Sequence, residues 1–572
     1  MREWSDSNQR RGRITSAFAV TRLLAAACVV VLCLWQVATP APTPAPAHHA
    51  MVVAESEPAA RAGLEILQHG GNAIDAAAAT ALAVGVTNAG SCGIGGGGFM
   101  LIYLARTGQF YALDYRERAP LRARADMYLR SGHPDEELAR DGPLAVAVPG
   151  ELAGIDAALK RFGTMKFAAV AAPAIRLAHD GFPASPHLAK EIAHMALKLE
   201  GDPGLSAVFL HADRSPIQAG QTITNLELAA TLKKMGDDPV ASFYHGAVAR
   251  QIVSFMKQRG GLISAADLAS YRPIWRTPLN FSFQGYEVYT MPPPSSGGVE
   301  LEMLGMLEPG HLVGLGLDSP PYLARLIEVM REGFIDRQEY GDPEYVHVPL
   351  KTLLSPAHIN EARNRALHRK RPPAPVPAAH DHGTSNLCVV DAAGNVVVIT
   401  TTINTAFGSK LMVPGLGIIL NNEMDDFAVA PGIANVYGLV GAKANSIAPG
   451  KRPLSSMTPT IVTRGAHPVL ALGGSGGPTI ITGVLQVELN TLDFHLAPAA
   501  AIAEPRIHEQ AAPATVFVET TMPPATIKGL QAMGYKVKVV HFFGAVNAIQ
   551  IAPDGALKGA FDERKGGGVA GY

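Results

Sequence analysis

One threonine stands where two unlike stretches of this 572-residue chain meet. Ahead of Thr384 runs a basic, proline-rich segment, His368-Arg369-Lys370-Arg371-Pro372-Pro373-Ala374-Pro375, which ends in His380-Asp381-His382-Gly383. Behind it come Thr384-Ser385-Asn386-Leu387-Cys388-Val389-Val390-Asp391, a Gly394-Asn395 turn and Val396 to Thr402, the pattern of strand, turn and strand. A Thr hydroxyl is a weak nucleophile until a base takes its proton, and a free N-terminal amine is one such base. That amine titrates near ~8, whereas a backbone amide does not titrate in this range. Cleavage before Thr384 would make one residue both nucleophile and base. The β-branched side chain is stiff about χ1 and holds its hydroxyl in one direction. Gly383, lacking Cβ, suits a strained scissile position. From the junction alone, the alternative is that Thr384 simply opens a strand after a surface loop.

Other runs carry polar side chains at close spacing. They are Gly71-Asn72-Ala73-Ile74-Asp75-Ala76-Ala77, Asp114-Tyr115-Arg116-Glu117, Met291-Pro292-Pro293-Pro294-Ser295-Ser296-Gly297-Gly298, Gly394 to Gly408, Leu420-Asn421-Asn422-Glu423-Met424-Asp425-Asp426-Phe427, Lys451 to Thr460 and Arg564-Lys565-Gly566-Gly567-Gly568. In this order, over about Met51 to Tyr572, they resemble the γ-glutamyltranspeptidase family.

That resemblance implies an α+β fold, the four-layer αββα sandwich of N-terminal-nucleophile hydrolases. It implies a precursor that cuts itself before Thr384 into a large subunit (48–383, ending in a Pro-rich linker at about 368–383) and a small subunit (384–572) that stay associated. The expected reaction moves a γ-glutamyl group from glutathione, or a related compound, through an ester on Thr384 to water or to an amino acid or peptide amine. No cofactor and no metal are implied. Thr402 is expected to support the nucleophile's hydroxyl, and Gly476 and Gly477 to form an oxyanion hole. Arg116, with its planar fork suited to a bidentate carboxylate contact, is expected to bind the glutamyl carboxylate with Ser455 and Ser456. Glu423 and Asp426, with Asn404, are expected to receive the ammonium, although their Glu-x-x-Asp spacing alone equally describes a solvated turn. Pro431 to Gly441, with Tyr437, resembles a lid loop. Relatives on the same fold include cephalosporin acylases and poly-γ-glutamate depolymerases, an alternative that changes only the donor. This chain departs from the family pattern at Asn386, usually His, and at Cys388, usually Ser or Thr. Both lie on the strand that orients Thr384, so slow maturation or an altered acceptor preference is an open expectation.

Two glycine-rich stretches need sorting. Gly93-Ile94-Gly95-Gly96-Gly97-Gly98 satisfies G-x-G-x-x-G, but a dinucleotide fingerprint follows a strand and opens a helix, and here the order is helix then strand. Gly473-Gly474-Ser475-Gly476-Gly477 follows the apolar run Val469–Leu472 and precedes a helix, so its N–H groups suit an anion. A plain tight turn is the other reading. His380-Asp381-His382 reads as linker, because a two-residue spacing in a proline-rich loop is a weak metal signal.

The rest of the chain suits a large exported enzyme. Charged residues make up 17% against a typical ~25%, so a sizeable core is available. A net charge of −1 gives no pull toward nucleic acid. Arg10, Arg11, Arg13 and Arg22 precede an apolar run from Leu23 to about Val37, and Ala45-Pro46-Ala47 offers a small-residue cleavage site. Residues 1–47 are therefore expected to be a signal peptide and spacer for a periplasmic or secreted protein, or a membrane anchor if uncut. Of the four cysteines, only Cys92 and Cys388 would survive removal, both as small core residues. Ser56 is placed to cap a helix through Gln68, and Asn72 with Asp75 a second to about Val86. Phe99–Leu104 and Phe110–Tyr115 read as strands, Pro149-Gly150 opens a helix, and helices fill Leu188 to Arg363. Beyond Thr384 strands dominate, with a helix after Pro478.

Overall fold

The structure, a computed structural model, describes residues 46–308, 311–368, 383–430, 432–512, 514–541 and 543–572. The expected signal segment, save Pro46 and Ala47, and the linker with His380 and His382 lie outside the described residues.

Strand β1 (Met51–Ala54) leads into helix α1 (Glu57–Gln68). Ser56 sits at the N-cap as expected, but its hydroxyl does not cap the helix; it pairs with the Thr87 hydroxyl at 2.6 Å. Helix α2 (Ala73–Thr87) begins with a complete capping box. The Asn72 side chain accepts from the N–H groups of Ile74 and Asp75, and the Asp75 carboxylate accepts from the Asn72 N–H. Every residue of α2 is buried, which accounts for its Ala-rich, non-amphipathic sequence. Strands β2 (Gly97–Leu104) and β3 (Gln109–Tyr115) follow, then α3 (Glu151–Phe162) and α4 (Phe167–Asp180).

The region from Leu188 to Arg363 is mostly helical, but it contains β4 (Ile274–Arg276), β5 (Leu279–Phe283) and β6 (Tyr286–Thr290), which the helical expectation omitted. The signal was present: Leu279, Phe281 and Phe283 alternate with exposed Asn280 and Ser282. Five α-helices between Pro186 and Ser270 precede these strands, and α5 (Gly297–Leu307), α6 (Pro320–Asp336) and α7 (Pro356–His368) follow them. After Thr384 come β7 (Ser385–Val390), β8 (Val396–Thr402), β9 (Thr460–Arg464), β10 (His467–Ser475), α8 (Thr479–Leu492), β11 (Ala545–Ile551), β12 (Leu557–Ala560) and β13 (Gly568–Gly571).

One antiparallel sheet has the order β13-β1-β7-β8-β2-β3-β4, the other β12-β11-β10-β9-β6-β5. The sheets face each other through β7 and β8 against β10 and β11. Helices α1, α2 and α3 cover the first sheet, with α4 packed on α2, and α5 and α8 cover the second, with α6 packed on α5, giving the expected αββα sandwich. Side chains alternate between the two cores. Leu387, Val389, Val397 and Ile399 face the first helical layer, while Cys388, Val390, Val396 and Val398 face the opposite sheet. Buried on both faces, β7 and β8 are apolar over Leu387–Val390 and Val396–Ile399 and carry buried polar side chains, Ser385, Asn386 and Thr400 to Thr402, only at the end nearest Thr384.

Candidate active site

Strand register builds the centre of the site. The β7–β8 pairing sets Ser385 opposite Thr401, so Thr384 falls beside Thr402, and their hydroxyls lie 3.1 Å apart. The hydroxyl of Thr384 donates to the carbonyl oxygen of Gly383 at 2.6 Å, and Thr402 donates to the same oxygen at 2.9 Å. The Asn404 N–H donates to the Thr402 hydroxyl at 2.8 Å. On the other side, Lys565 donates to the Thr384 carbonyl oxygen at 2.9 Å and to Ser475 at 3.2 Å, and its ammonium lies 3.4 Å from the Glu55 carboxylate.

Thr384, Thr402, Arg116, Asn404, Glu423, Asp426, Ser455, Ser456 and Gly477 line one cleft, together with Tyr437, Met457 and Ile480. Of the expected site residues only Gly476 is set back from it. The Glu423–Asp426 segment is a 3-10 turn with Glu423 fully buried, not a solvated loop. Arg116 donates to the carboxylates of both Glu423 and Asp426 and, at 3.3 Å, to the carbonyl oxygen of Pro453. Burial opposes the charge of Arg116, but Glu423, Asp426 and Glu117 outweigh it and hold its pKa above the ordinary value. Burial drives Glu423 well above the usual carboxylate range despite Arg116, and pushes Glu117 up to about 7. The expected cationic and anionic subsites thus adjoin as one ion-paired cluster.

The loop bearing Ser455 and Ser456 rests on the Pro292–Ser296 segment. The Ser455 N–H donates to the Pro294 carbonyl at 2.7 Å, Ser295 to the Met457 carbonyl at 2.7 Å and Ser296 to the Ser455 carbonyl at 2.6 Å. Arg337, at the end of α6, ties the two segments together, donating to Ser296 at 2.9 Å and to Ser456 at 3.2 Å. Burial lowers its pKa to about 10, with Asp426 opposing and Arg116 adding to the drop. Sequence reasoning missed Arg337 and the role of Lys565, because neither sits beside its partner in the chain. Lys565 lies within the Arg564–Gly568 motif, which was a hint, whereas Arg337 lies in none of the motifs.

The 432–441 loop forms a small hairpin in which the Asn435 side chain accepts from the N–H groups of Tyr437 and Leu439, each at 3.1 Å. From its tip the Tyr437 hydroxyl reaches the backbone carbonyl of Asn404 at 3.0 Å and also bonds the Asn404 side chain. Gln510 donates to the Tyr437 carbonyl at 3.1 Å. The loop thus covers the cleft, as a lid would.

The glycines act through space. Strand β10 runs through Ser475, with Gly473 to Ser475 paired to Asn547 to Ala545, so the expected five-residue loop shrinks to Gly476-Gly477-Pro478. A Cβ on Gly473 would lie 2.2 Å from the Asn386 amide nitrogen, and one on Gly476 2.4 Å from the Gly544 Cα. Gly476 and Gly477 also have φ of +124° and +60°. In the G-x-G-x-x-G stretch, Cβ atoms on Gly95 and Gly96 would strike the carbonyl oxygens of Ile419 and Thr402 at 2.0 and 1.9 Å. That stretch follows α2 and opens β2, so it is a close-packed turn, as its order implied. Asn386 donates to the Ile399 carbonyl at 2.8 Å and accepts, through its own carbonyl, from Asn547 at 2.9 Å. Cys388 and Cys92 are buried free thiols.

The family model for gamma-glutamyltranspeptidase matches residues 59–572. The glutathione hydrolase proenzyme of Escherichia coli (strain K12) is 38% identical over 530 residues, 91% of this chain and 91% of that protein. The acylase ACY 1 proenzyme of Pseudomonas sp. (strain SE83) is 38% identical over 531 residues, 90% of this chain and 92% of that protein. Among solved structures, a cephalosporin acylase from Bacillus halodurans aligns with a TM-score of 0.83 at 31% identity, over 94% of this chain and 98% of that one. The chain belongs to the gamma-glutamyltranspeptidase family of enzymes.

Proposed function

We propose that this chain is a self-cleaving γ-glutamyl hydrolase and transferase with Thr384 as its nucleophile. The placement of the Thr384 hydroxyl 2.6 Å from the carbonyl oxygen of its own preceding peptide bond carries the reading. The Thr384 Oγ attacks the Gly383 carbonyl carbon while Thr402 donates to the oxygen that gains negative charge. The C–N bond breaks, the hydroxyl proton passes to the Thr384 nitrogen, and an ester links Gly383 to Oγ. Water hydrolyses that ester, leaving Gly383 as a carboxylate and Thr384 with a free amine. The two subunits stay joined because β1, β2 and β3 of the first piece are hydrogen-bonded in one sheet with β7 and β8 of the second.

In the mature protein the amine of Thr384 takes the hydroxyl proton as Oγ attacks the γ-amide of glutathione or a related donor. Gly476 and Gly477 then supply backbone N–H groups to the oxyanion. The donor's carboxylate takes over contacts of Arg116 beside Ser455 and Ser456, and its ammonium those of Glu423 and Asp426 with Asn404. The leaving amine departs protonated, and water or another amine completes hydrolysis or transfer. The acylase relatives favour a second reading in which the donor is a glutaryl-type amide. The paired cation and carboxylates of the cleft argue for a donor with both charges. The leader sequence supports a periplasmic or secreted location.

Denaturing electrophoresis and N-terminal sequencing of purified protein test the reading: two bands, the smaller starting at Thr384, with Thr384→Ala remaining one chain and releasing no glutamate from glutathione. A single intact chain at full activity would overturn it. Faster turnover of a glutaryl-cephalosporin than of glutathione would favour the acylase.

A further inference from the structure

Outside the cleft, three side chains from α5, α6 and α7 converge. The Nε2 of His358 lies 2.7 Å from a carboxylate oxygen of Asp336 and 3.4 Å from one of Glu302, and one donor atom of each lies within 4.8 Å of the others. Glu302 is completely buried, and neither of its carboxylate oxygens has a hydrogen-bond partner. Kept charged, such a carboxylate is costly unless a cation meets it. Neighbouring charge does not suffice: Arg365 bonds Glu332 at 2.9 Å and approaches Asp336 at 3.5 Å, so one guanidinium faces three carboxylates. Asp336 and His358 keep partial solvent exposure, which gives an ion a way in.

We propose that Glu302, Asp336 and His358 form a binding site for a divalent transition-type cation, Zn²⁺ or Mn²⁺, that pins α7 to α5 and α6. One imidazole and two carboxylates suit such ions better than Ca²⁺, which takes oxygen ligands only. Ligands at ~2.0–2.2 Å around a tetrahedral centre stand roughly 3.3–3.6 Å apart. The His358–Glu302 pair is already at that spacing, and the His358–Asp336 pair needs to open by under about 1 Å. The capping of α7 by Ser355, which accepts from the His358 N–H at 3.2 Å, fixes His358 in the first turn, facing its partners. The placement gives the site two consequences. Helix α7 ends at His368, directly ahead of the linker to Gly383, and Asp336 adjoins Arg337, which holds Ser296 and Ser456. A cation here would therefore anchor both the linker's origin and one wall of the cleft.

The test uses the full-length, untagged chain, stripped with chelator and titrated with Zn²⁺ or Mn²⁺ by calorimetry, with bound metal counted by mass spectrometry. Wild type should bind about one equivalent and unfold at a higher temperature when loaded. Glu302→Gln, which keeps the volume and removes the charge, and His358→Ala should each bind at least ~10-fold more weakly, with circular dichroism showing that both remain folded. Asp336→Asn serves in place of either variant if one does not fold. Wild type that binds no metal would overturn the proposal. So would His358→Ala binding as tightly as wild type, the result expected if His380 and His382 of the linker held the ion.

Discussion

Replacing Thr402 with valine removes one hydroxyl and almost nothing of shape. In the precursor that hydroxyl donates to the Gly383 carbonyl at 2.9 Å, accepts from the Asn404 N–H at 2.8 Å and lies 3.1 Å from the Thr384 hydroxyl. Thr402 is only 2% exposed, so water does not replace it freely. Leaving buried partners unpaired costs ~1–3 kcal/mol, and the folded precursor should lose about that much stability. The effect on self-cleavage should be larger, because the Gly383 oxygen gains charge as the Thr384 oxygen attacks. Removing a donor to such an oxygen typically costs ~10²–10³ in rate. Thr402→Val precursor should therefore convert to two bands on denaturing gels ~10²–10³ times more slowly than wild type, while its urea midpoint falls only modestly. Thr402→Ser, which restores the donor, should recover most of the rate. Conversion of Thr402→Val within about threefold of wild type would refute the argument, since a donor of this kind cannot be worth so little.

Gly476→Ala should cost at least ~1–3 kcal/mol from backbone strain at φ +124°, with a further clash of its Cβ at 2.4 Å from the Gly544 Cα; chemical denaturation checks it. Tyr437→Phe removes the hydroxyl that bonds Asn404, worth ~0.5–1.5 kcal/mol, so amide exchange across 432–441 should quicken about 2–10-fold and KM for glutathione rise; unchanged exchange would contradict the lid. Burial pushes the Glu151 carboxyl up to about 8, even though it accepts from Thr401 at 2.8 Å. The folded chain then holds a proton that the unfolded chain, with an ordinary value near 4.5, has released. This contribution is complete below about pH 4.5 and is lost as pH rises through about 8. Urea midpoints measured from pH 5 to 8 should fall with pH, and fall less steeply in Glu151→Gln; identical slopes would exclude Glu151 as a cause.

The sequence alone determined much of the local architecture and the identity of the chemical groups. Asn72 and Asp75 cap α2 because a capping box is written within four residues. Likewise, β7 and β8 are legible from the apolar runs Leu387–Val390 and Val396–Ile399 on either side of the Gly394-Asn395 turn. Arg116, Asn404, Glu423, Asp426, Ser455 and Ser456 stand in motifs that are legible in the chain itself. Short-range reasoning failed where the partner was distant. Ser56 looked like a cap but bonds Thr87, β10 extends to Ser475 because β11 pairs with it, and the β4–β6 strands were absorbed into a helical region. Only the tertiary structure decided that Arg116 lies directly against Glu423 and Asp426, that Arg337 braces Ser456, and that Lys565 grips the carbonyl of Thr384. It alone gathered Glu302, Asp336 and His358 from three helices. Helix periodicity and capping act over a few residues and leave a mark in the sequence, whereas sheet register and the pairing of buried charges are set by surfaces that meet only after the chain has folded.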